Sequence, residues 1–224
     1  MLQHKTIFKA VIFDLDGTLI NSLQDIADSM NRVLVSKGFK SHDYDAYKYF
    51  VGRGLRVLVG RTLPEDQRTE ENISDLYSGL VKDYKENCLG KTVLYQGVSE
   101  LLDNLKTTHL KLAILSNKAD EITQKITNDL LAQWPFDIIL GSKAELPRKP
   151  DPTSALLISQ KLGVSPDEIL YVGDTGIDMT TAVAAGMYPV GVSWGFRTKE
   201  ELMENGAKSI IDKPIELLKL LNLA

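Results

Sequence analysis

Asp14 and Asp16 stand two positions apart, directly after the apolar run Ala10-Val11-Ile12-Phe13 and directly before Gly17-Thr18. The run reads as a buried strand. If the chain is still extended at the acids, side chains at i and i+2 share a side, and both carboxylates face one spot. Two bare carboxylates at one spot repel each other, so the arrangement calls for a cation or a shared proton. The other reading is an acidic turn, because Asp and Gly are common turn residues. This stretch by itself supports both.

Polar residues recur behind other apolar runs. Ser116, Asn117 and Lys118 follow the run at 112–115, and Gly173, Asp174, Thr175 and Asp178 follow the run at 169–172. Lys149 precedes Pro150, which biases it away from helix, just ahead of a helical pattern starting at Pro152. In an open α/β sheet, ligands sit beyond the carboxyl ends of the strands, so these side chains are expected to converge on one crevice. Oxygen ligands without His or Cys suit a hard cation, most naturally Mg²⁺. A Ser hydroxyl and a Lys ammonium suit a phosphate. One Asp can then attack phosphorus, and the other can give a proton to the leaving oxygen and later take one from water. Mg²⁺ and Lys149 would offset the charge that otherwise repels the nucleophile. The set reads as phosphoryl transfer.

These side chains need a frame. Ser22 is placed to cap a helix carrying Leu23, Ile26, Ala27, Met30, Val33 and Leu34, which Gly38 ends. The pattern predicts further helices at 44–50, from near Gly52, and from Pro64 with Ile73, Leu76, Leu80, Val81 and Tyr84 on one face. No strand is expected between 20 and 89. From Gly97 onward, helices and apolar strands alternate: strands at 110–115, 136–140, 169–172, 188–192 and 209–211, helices at 98–105, 122–131, 152–162, 180–185 and 214–221. Repeated βα units indicate a parallel sheet covered by helices on both faces. The expected fold is therefore α/β, a Rossmann-like parallel sheet core with an inserted α-helical cap domain. The core would be residues 1–19 and 91–224, and the cap residues 20–90.

The totals are those of an ordinary soluble protein: 224 residues, 43% hydrophobic, 25% charged, net charge −4. A mildly acidic chain gives no reason to expect nucleic acid or an anionic membrane as partner. A single cysteine, Cys88, excludes an internal disulfide. No targeting segment is recognisable, and no window reaches the ~18 apolar residues of a membrane span, so a cytoplasmic location is expected.

The motifs together resemble the haloacid dehalogenase-like hydrolase superfamily. Asp14-Leu15-Asp16-Gly17-Thr18 is similar to its first motif, Ser116-Asn117-Lys118 to its second, Lys149-Pro150-Asp151-Pro152 to its third, and Gly173-Asp174-Thr175-Gly176-Ile177-Asp178 to its fourth. The helical insert resembles that family's cap. The resemblance implies Asp14 as nucleophile and Asp16 as general acid/base, with Ser116, Asn117 and Lys149 about the phosphate. It also implies Mg²⁺ held by Asp14, the backbone carbonyl of Asp16 and Asp174, with Asp178 nearby. Val51-Gly52-Arg53-Gly54-Leu55, Tyr95-Gln96-Gly97-Val98, Val192-Ser193-Trp194-Gly195-Phe196 and Gly206-Ala207 look most like phosphoglycolate phosphatases, while Asn21-Ser22 departs from the family's Asp-Ser. The expected activity is hydrolysis of a small phosphorylated metabolite, phosphoglycolate first, by a monomer or homodimer. A sugar-phosphate mutase, a pyrophosphatase and a phosphate-receiving module are the alternatives.

Other residues carry two readings. Arg53 and Arg56 suit a substrate carboxylate or a solvated helix face. Asn117 suits orientation of the nucleophile or capping of the next helix. Gly90-Lys91-Thr92 ends like a phosphate-binding loop, but Lys85 stands where that loop needs glycine, which rejects it. His4, His42 and His109 lie outside every motif and are expected at the surface; Trp134 and Trp194 are expected to pack.

Overall fold

In the computed structural model, which describes residues 7–223, Ala10–Phe13 form strand β1. All four of its residues are buried, and they alternate between two cores. Val11 and Phe13 pack with Leu112, Ile114, Leu170 and Val172 on one face of the sheet, and Ala10 and Ile12 pack with Ala113, Leu115, Ile169 and Tyr171 on the other. That is the period-two signature of a strand covered on both sides. Each large side chain buried this way contributes about 1.5–3 kcal/mol.

β1 lies between β4 (Lys111–Ala119) and β6 (Ile169–Gly173), parallel to both. Beyond them lie β5 (Ile138–Ser142) on one side, and β7 (Tyr188–Val192) and β8 (Ser209–Ile211) on the other, giving a six-stranded parallel sheet in the order β5-β4-β1-β6-β7-β8. The register pairs Phe13 with both Ile114 and Val172. Asp14, Ser116 and Asp174 therefore emerge side by side at one edge.

The helical insert consists of α1 (Leu23–Ser36), α2 (Tyr44–Phe50), α3 (Leu55–Thr62) and α4 (Glu70–Asn87). α1 packs on α4 and α2, and α3 on α4, burying Met30, Leu34, Tyr47, Val59, Leu76 and Leu80. Two expectations need correction here. The fourth helix begins at Glu70, not at Pro64: the Thr69 side chain accepts from the backbone N–H of Asn72, and Pro64 leads only into a 3-10 turn at Glu65–Gln67. A short strand also exists where none was expected. Ile20–Asn21 (β2) pairs antiparallel with Val93–Leu94 (β3), zipping the outgoing and returning connections together. Two-residue strands leave no periodic trace in a sequence.

The junction has a second tie. The buried carboxylate of Asp25, in the first turn of α1, accepts from the backbone N–H groups of Lys91 and Thr92 at 2.8–2.9 Å and from the Thr92 hydroxyl at 2.7 Å. Gly90-Lys91-Thr92 is thus a receptor for a side-chain anion of the chain itself.

The remaining helices are α5 (Val98–Leu105), α6 (Asp120–Leu130), α7 (Thr153–Leu162), α8 (Gly176–Ala184), α9 (Lys199–Glu204) and α10 (Leu217–Leu220). α9 was not expected. Cys88 is buried at the end of α4, and Trp134 is buried with its Nε1 donating to Asp103. His109 is exposed, whereas His42 is half-buried, its Nε2 2.8 Å from the Thr62 carbonyl and its ring edge-on to Tyr47 and Phe50; His4 lies outside the described residues. Among the described residues, no helix is long and apolar enough to cross a membrane.

Candidate active site

Where the strand ends meet the helical insert there is a small crevice of about 40 Å³, lined by Asp14, Asp16, Ser116, Asn117, Lys118 and Lys149 and roofed by Ile26, Val51, Leu55 and Leu58. The structure brings Asp14, Asp174 and Asp178 together: one carboxylate oxygen from each lies within 4.8 Å of the others, and all three residues are buried. The Lys149 ammonium sits among them, 2.8 Å from Asp14 Oδ1, 2.7 Å from Asp178 Oδ1 and 3.0 Å from the Leu115 carbonyl.

Each acid has its own local cause. Asp178 opens α8 in a capping box, its Oδ2 accepting from the Thr175 hydroxyl at 2.7 Å and the Thr175 N–H at 3.1 Å. Asp174 accepts from the Phe196 N–H at 2.8 Å and the Thr18 hydroxyl at 3.3 Å. Its carboxylate lies so close to the first loop that a Cβ on Gly17 would come within 2.1 Å of Asp174 Oδ2, and Gly17 has φ +88°. Only glycine suits both that backbone and that approach. A Cβ on Gly195 would lie 2.2 Å from Asp174 Cβ, closing the cradle from the other side.

The electrostatics follow from three acids against one lysine out of water. Burial, then the charge of Asp178, push Asp14 from its ordinary 3.8 up to about 7 despite Lys149. Burial, then Asp14 and Asp178, hold Asp174 well above the carboxylate range, against the Phe196 N–H. Burial works against the charge of Lys149, but Asp14 and Asp178 outweigh it and hold the ammonium well above its usual range. One lysine cannot balance three ionised acids, which is why Asp14 and Asp174 hold protons to higher pH, and the ionised cluster would carry surplus negative charge. An all-oxygen donor set with that surplus fits a hard divalent cation.

A stability prediction arises directly. An acid whose folded pKa is raised contributes stability below its unfolded value, and that contribution is lost as pH rises through the folded value. For Asp14 the window runs from about 4 to about 7, and Asp174 acts in the same direction. In a chelator, the melting temperature is expected to fall between pH 5 and pH 8, a chain of this size losing about 2–4 °C per kcal/mol. A chelated protein that melts at a constant or rising temperature across that range would show that the acids do not share one dry site.

Asp16 is held apart from this cluster. Ser22 Oγ (2.5 Å) and Lys118 Nζ (2.9 Å) both bind its Oδ1, and Oδ2 has no partner among the described residues. Ser22 precedes α1 as expected but makes no capping bond; its hydroxyl serves Asp16 instead. Lys118 in turn donates to the Tyr84 hydroxyl from α4 and lies over that ring. Burial opposes its charge, yet Asp16 and Tyr84 raise its pKa. From sequence Ser22 is expected to cap a helix, Tyr84 to lie on an apolar helix face and Lys118 to belong to the second motif, and none of the three is expected to contact Asp16 or its partners. The available signal was β4 itself, which continues through Ala119 and so carries Ser116, Asn117 and Lys118 on the strand, not after it.

The Asn117 side chain does not cap α6. It brackets Lys149, accepting from the Lys149 N–H at 2.9 Å and donating to the Lys149 carbonyl at 3.1 Å, and it donates to the Gly52 carbonyl of the insert at 3.0 Å. Arg56 is not brought to the crevice: it pairs with Glu70, donates to Ser74 at 3.3 Å and lies over Tyr77. Arg53 lines a neighbouring cleft instead. Trp194 is half-buried, its Nε1 donating to the Thr18 carbonyl at 3.0 Å.

Known proteins resemble this chain in sequence and fold. Residues 11–192 match the family model described as haloacid dehalogenase-like hydrolase. A phosphoglycolate phosphatase of Aquifex aeolicus is 32% identical over 214 residues, 96% of this chain and 97% of its own. One from Chromobacterium violaceum is 31% identical over 216 residues, 95% of this chain and 96% of its own. A crystal structure from Lactobacillus delbrueckii subsp. bulgaricus superimposes with a TM-score of 0.90 at 29% identity, covering 96% of this chain and 98% of that one. The chain belongs to the haloacid dehalogenase-like hydrolases, and within them it is similar to phosphoglycolate phosphatases.

Proposed function

We propose that this chain is a Mg²⁺-dependent phosphatase that hydrolyses a small phosphate monoester through an aspartyl-phosphate, with phosphoglycolate the leading substrate. The observation that carries the reading is the division of the two acids. Asp14 lies in the buried acidic cluster beside Lys149, while Asp16 lies outside it with one oxygen uncommitted. A nucleophile and a proton donor need those two environments.

Asp14, Asp174 and the backbone carbonyl of Asp16 would hold Mg²⁺. When bound, the ion supplies charge neutralisation, so that an anionic ester can approach an anionic nucleophile. Asp178 has both oxygens committed to Lys149 and Thr175, so its part is to position Lys149. Lys149, with the Ser116 hydroxyl, holds the phosphoryl oxygens. An Asp14 oxygen attacks phosphorus, and the bond to the ester oxygen breaks as Asp16 Oδ2 gives that oxygen a proton. The Asp16 carboxylate then takes a proton from the water that attacks the phosphoryl group, releasing inorganic phosphate and restoring Asp14. Ser22 and Lys118 keep Oδ1 fixed so that Oδ2 is presented to the leaving oxygen.

Residues 20–90 would act as the cap on a core of residues 1–19 and 91–224, moving about the β2–β3 ladder. The cap's Ile26, Val51, Leu55 and Leu58 exclude water over the nucleophile and leave room for only a few substrate atoms. That small space, and the similarity to phosphoglycolate phosphatases, favour a two-carbon ester.

Phosphate release from a panel of monoesters tests the reading. Phosphoglycolate is expected to give the highest kcat/KM, and a chelator to abolish release. Adding Mg²⁺ to the chelated protein should raise the melting temperature more at pH 8 than at pH 5, because protons occupy the acids at the lower pH. No phosphate release from any ester in the presence of Mg²⁺ would sink the proposal, and a group returned to the substrate would make the chain a mutase.

A further inference from the structure

Beside the crevice, across the 51–54 loop, lies a second and larger space of about 490 Å³ at the seam of insert and core. Arg53, Arg61 and Arg68 line it from the insert and Arg197 from the core, and Glu201 is the one acid among its lining residues. In a chain with net charge −4, four guanidinium groups around one opening are a local reversal of sign. The opposing walls share Thr175 with the crevice, but Asp14, Asp16 and Lys149 do not reach this space.

Three of the arginines are positioned by the backbone. Arg61 donates to the Tyr49 carbonyl at 2.6 Å and Arg68 to the Leu63 carbonyl at 3.0 Å. Arg197 donates to the carbonyls of Lys48 and Val51, lies over the Tyr49 ring and is 3.4 Å from Glu201. Neutral carbonyls orient these groups without cancelling their charge. Arg53 is exposed and has no hydrogen-bond or ion-pair partner among the described residues. Burial, then Arg53 and Arg197, lower the pKa of Arg61, as expected for like charges gathered around one space. Glu201, 3.4 Å from Arg197, and Glu65, 4.0 Å from Arg68, are the acids paired with these groups, so four guanidinium groups face two carboxylates and the cluster keeps a surplus of positive charge.

We propose that this cleft is an anion-binding site separate from the catalytic crevice, and that it takes a small polyphosphate anion of the pyrophosphate type. Planar guanidinium forks match phosphate oxygens bidentately. Several forks on different elements favour a ligand with several charged groups over a single carboxylate. Because three forks belong to the insert and one to the core, the bound anion holds the two together.

The test uses the whole protein in a chelator, so that the crevice holds no cation to draw anions. Inorganic pyrophosphate is titrated in and followed by calorimetry and by the arginine Nε–Hε NMR signals. The expected result is one saturable site per chain, with the Arg53, Arg61 and Arg197 signals moving together. Arg53→Gln, at an exposed position that leaves folding alone, should weaken binding about tenfold or more. Ser116→Ala, in the crevice, should not change it, and acetate should not compete at equal concentration. Absence of saturable binding, equal competition by acetate, or loss of binding in Ser116→Ala but not Arg53→Gln would each overturn the proposal. None of these readings depends on turnover, so a failure here is distinct from a failure of the phosphatase reading.

Discussion

Replacing Asp14 with Asn is expected to lower kcat by about 10⁴-fold or more while the chain still folds. The two side chains have the same shape, and the amide oxygen of Asn can keep the Lys149 contact now made by Oδ1 at 2.8 Å. On the proposed mechanism, what is lost is the anionic oxygen that attacks phosphorus. Folding should not suffer, because the substitution removes one of three mutually repelling buried acids. Asp14 is the one that burial and Asp178 push up to about 7, so above that pH the wild-type protein carries a costly charge which the variant lacks. In a chelator at pH 8, the variant is expected to melt at or above the wild-type temperature. Single-turnover phosphate release and thermal melts measure both effects. Activity within about 100-fold of wild type would remove Asp14 from the nucleophile role, since loss of a true nucleophile costs far more.

Asp16→Ala produces a loss that depends on the leaving group. For an alkyl phosphate, whose leaving oxygen needs a proton, the first transfer slows about 10²–10⁴-fold. For an activated aryl phosphate, whose leaving oxygen departs as a stable anion, the same step slows far less. The measurement is made in single turnover, so that the later attack of water, which the proposed mechanism also assigns to Asp16, does not mask the difference. Geometry sets the expectation: both anchors of Asp16, Ser22 and Lys118, bind Oδ1, and Asp16 lines the crevice. Equal losses on the two substrates would assign Asp16 a structural role.

Much of the fold was legible because its signals are local. The strands 188–192 and 209–211 and the helix 44–50 lie where the apolar pattern puts them, since buried runs and a capping Asp43 act within a few residues. Parallel strands covered on both faces must be apolar throughout, and the polar residues that follow them mark the ligand edge. The misses share one property, dependence on a distant partner. β2 exists only because Val93–Leu94 returns beside Ile20–Asn21. Arg56 is drawn to Glu70, on a different helix of the insert. The Asn117 side chain is committed to Lys149 and Gly52, each far off in sequence, and so does not cap the helix that follows it.

The pair at 14 and 16 shows the same boundary most sharply. The chemical types, the spacing and the place at the end of a buried strand were in the sequence, and they narrowed the chemistry to charge-compensated carboxylates. Folding places both acids on one crevice, as the i and i+2 spacing suggests, but gives them different partners. Asp14 meets Lys149 from the loop before α7, Asp174 just after β6 and Asp178 in α8, whereas Asp16 meets Ser22 at the start of α1 and Lys118 from β4. A carboxylate's charge state and reach are set by whatever lies within a few ångströms of it, and here those neighbours stand up to 164 positions along the chain, at Asp178. Local pattern determined which groups reach the edge of the sheet; tertiary packing decided which of them each acid faces.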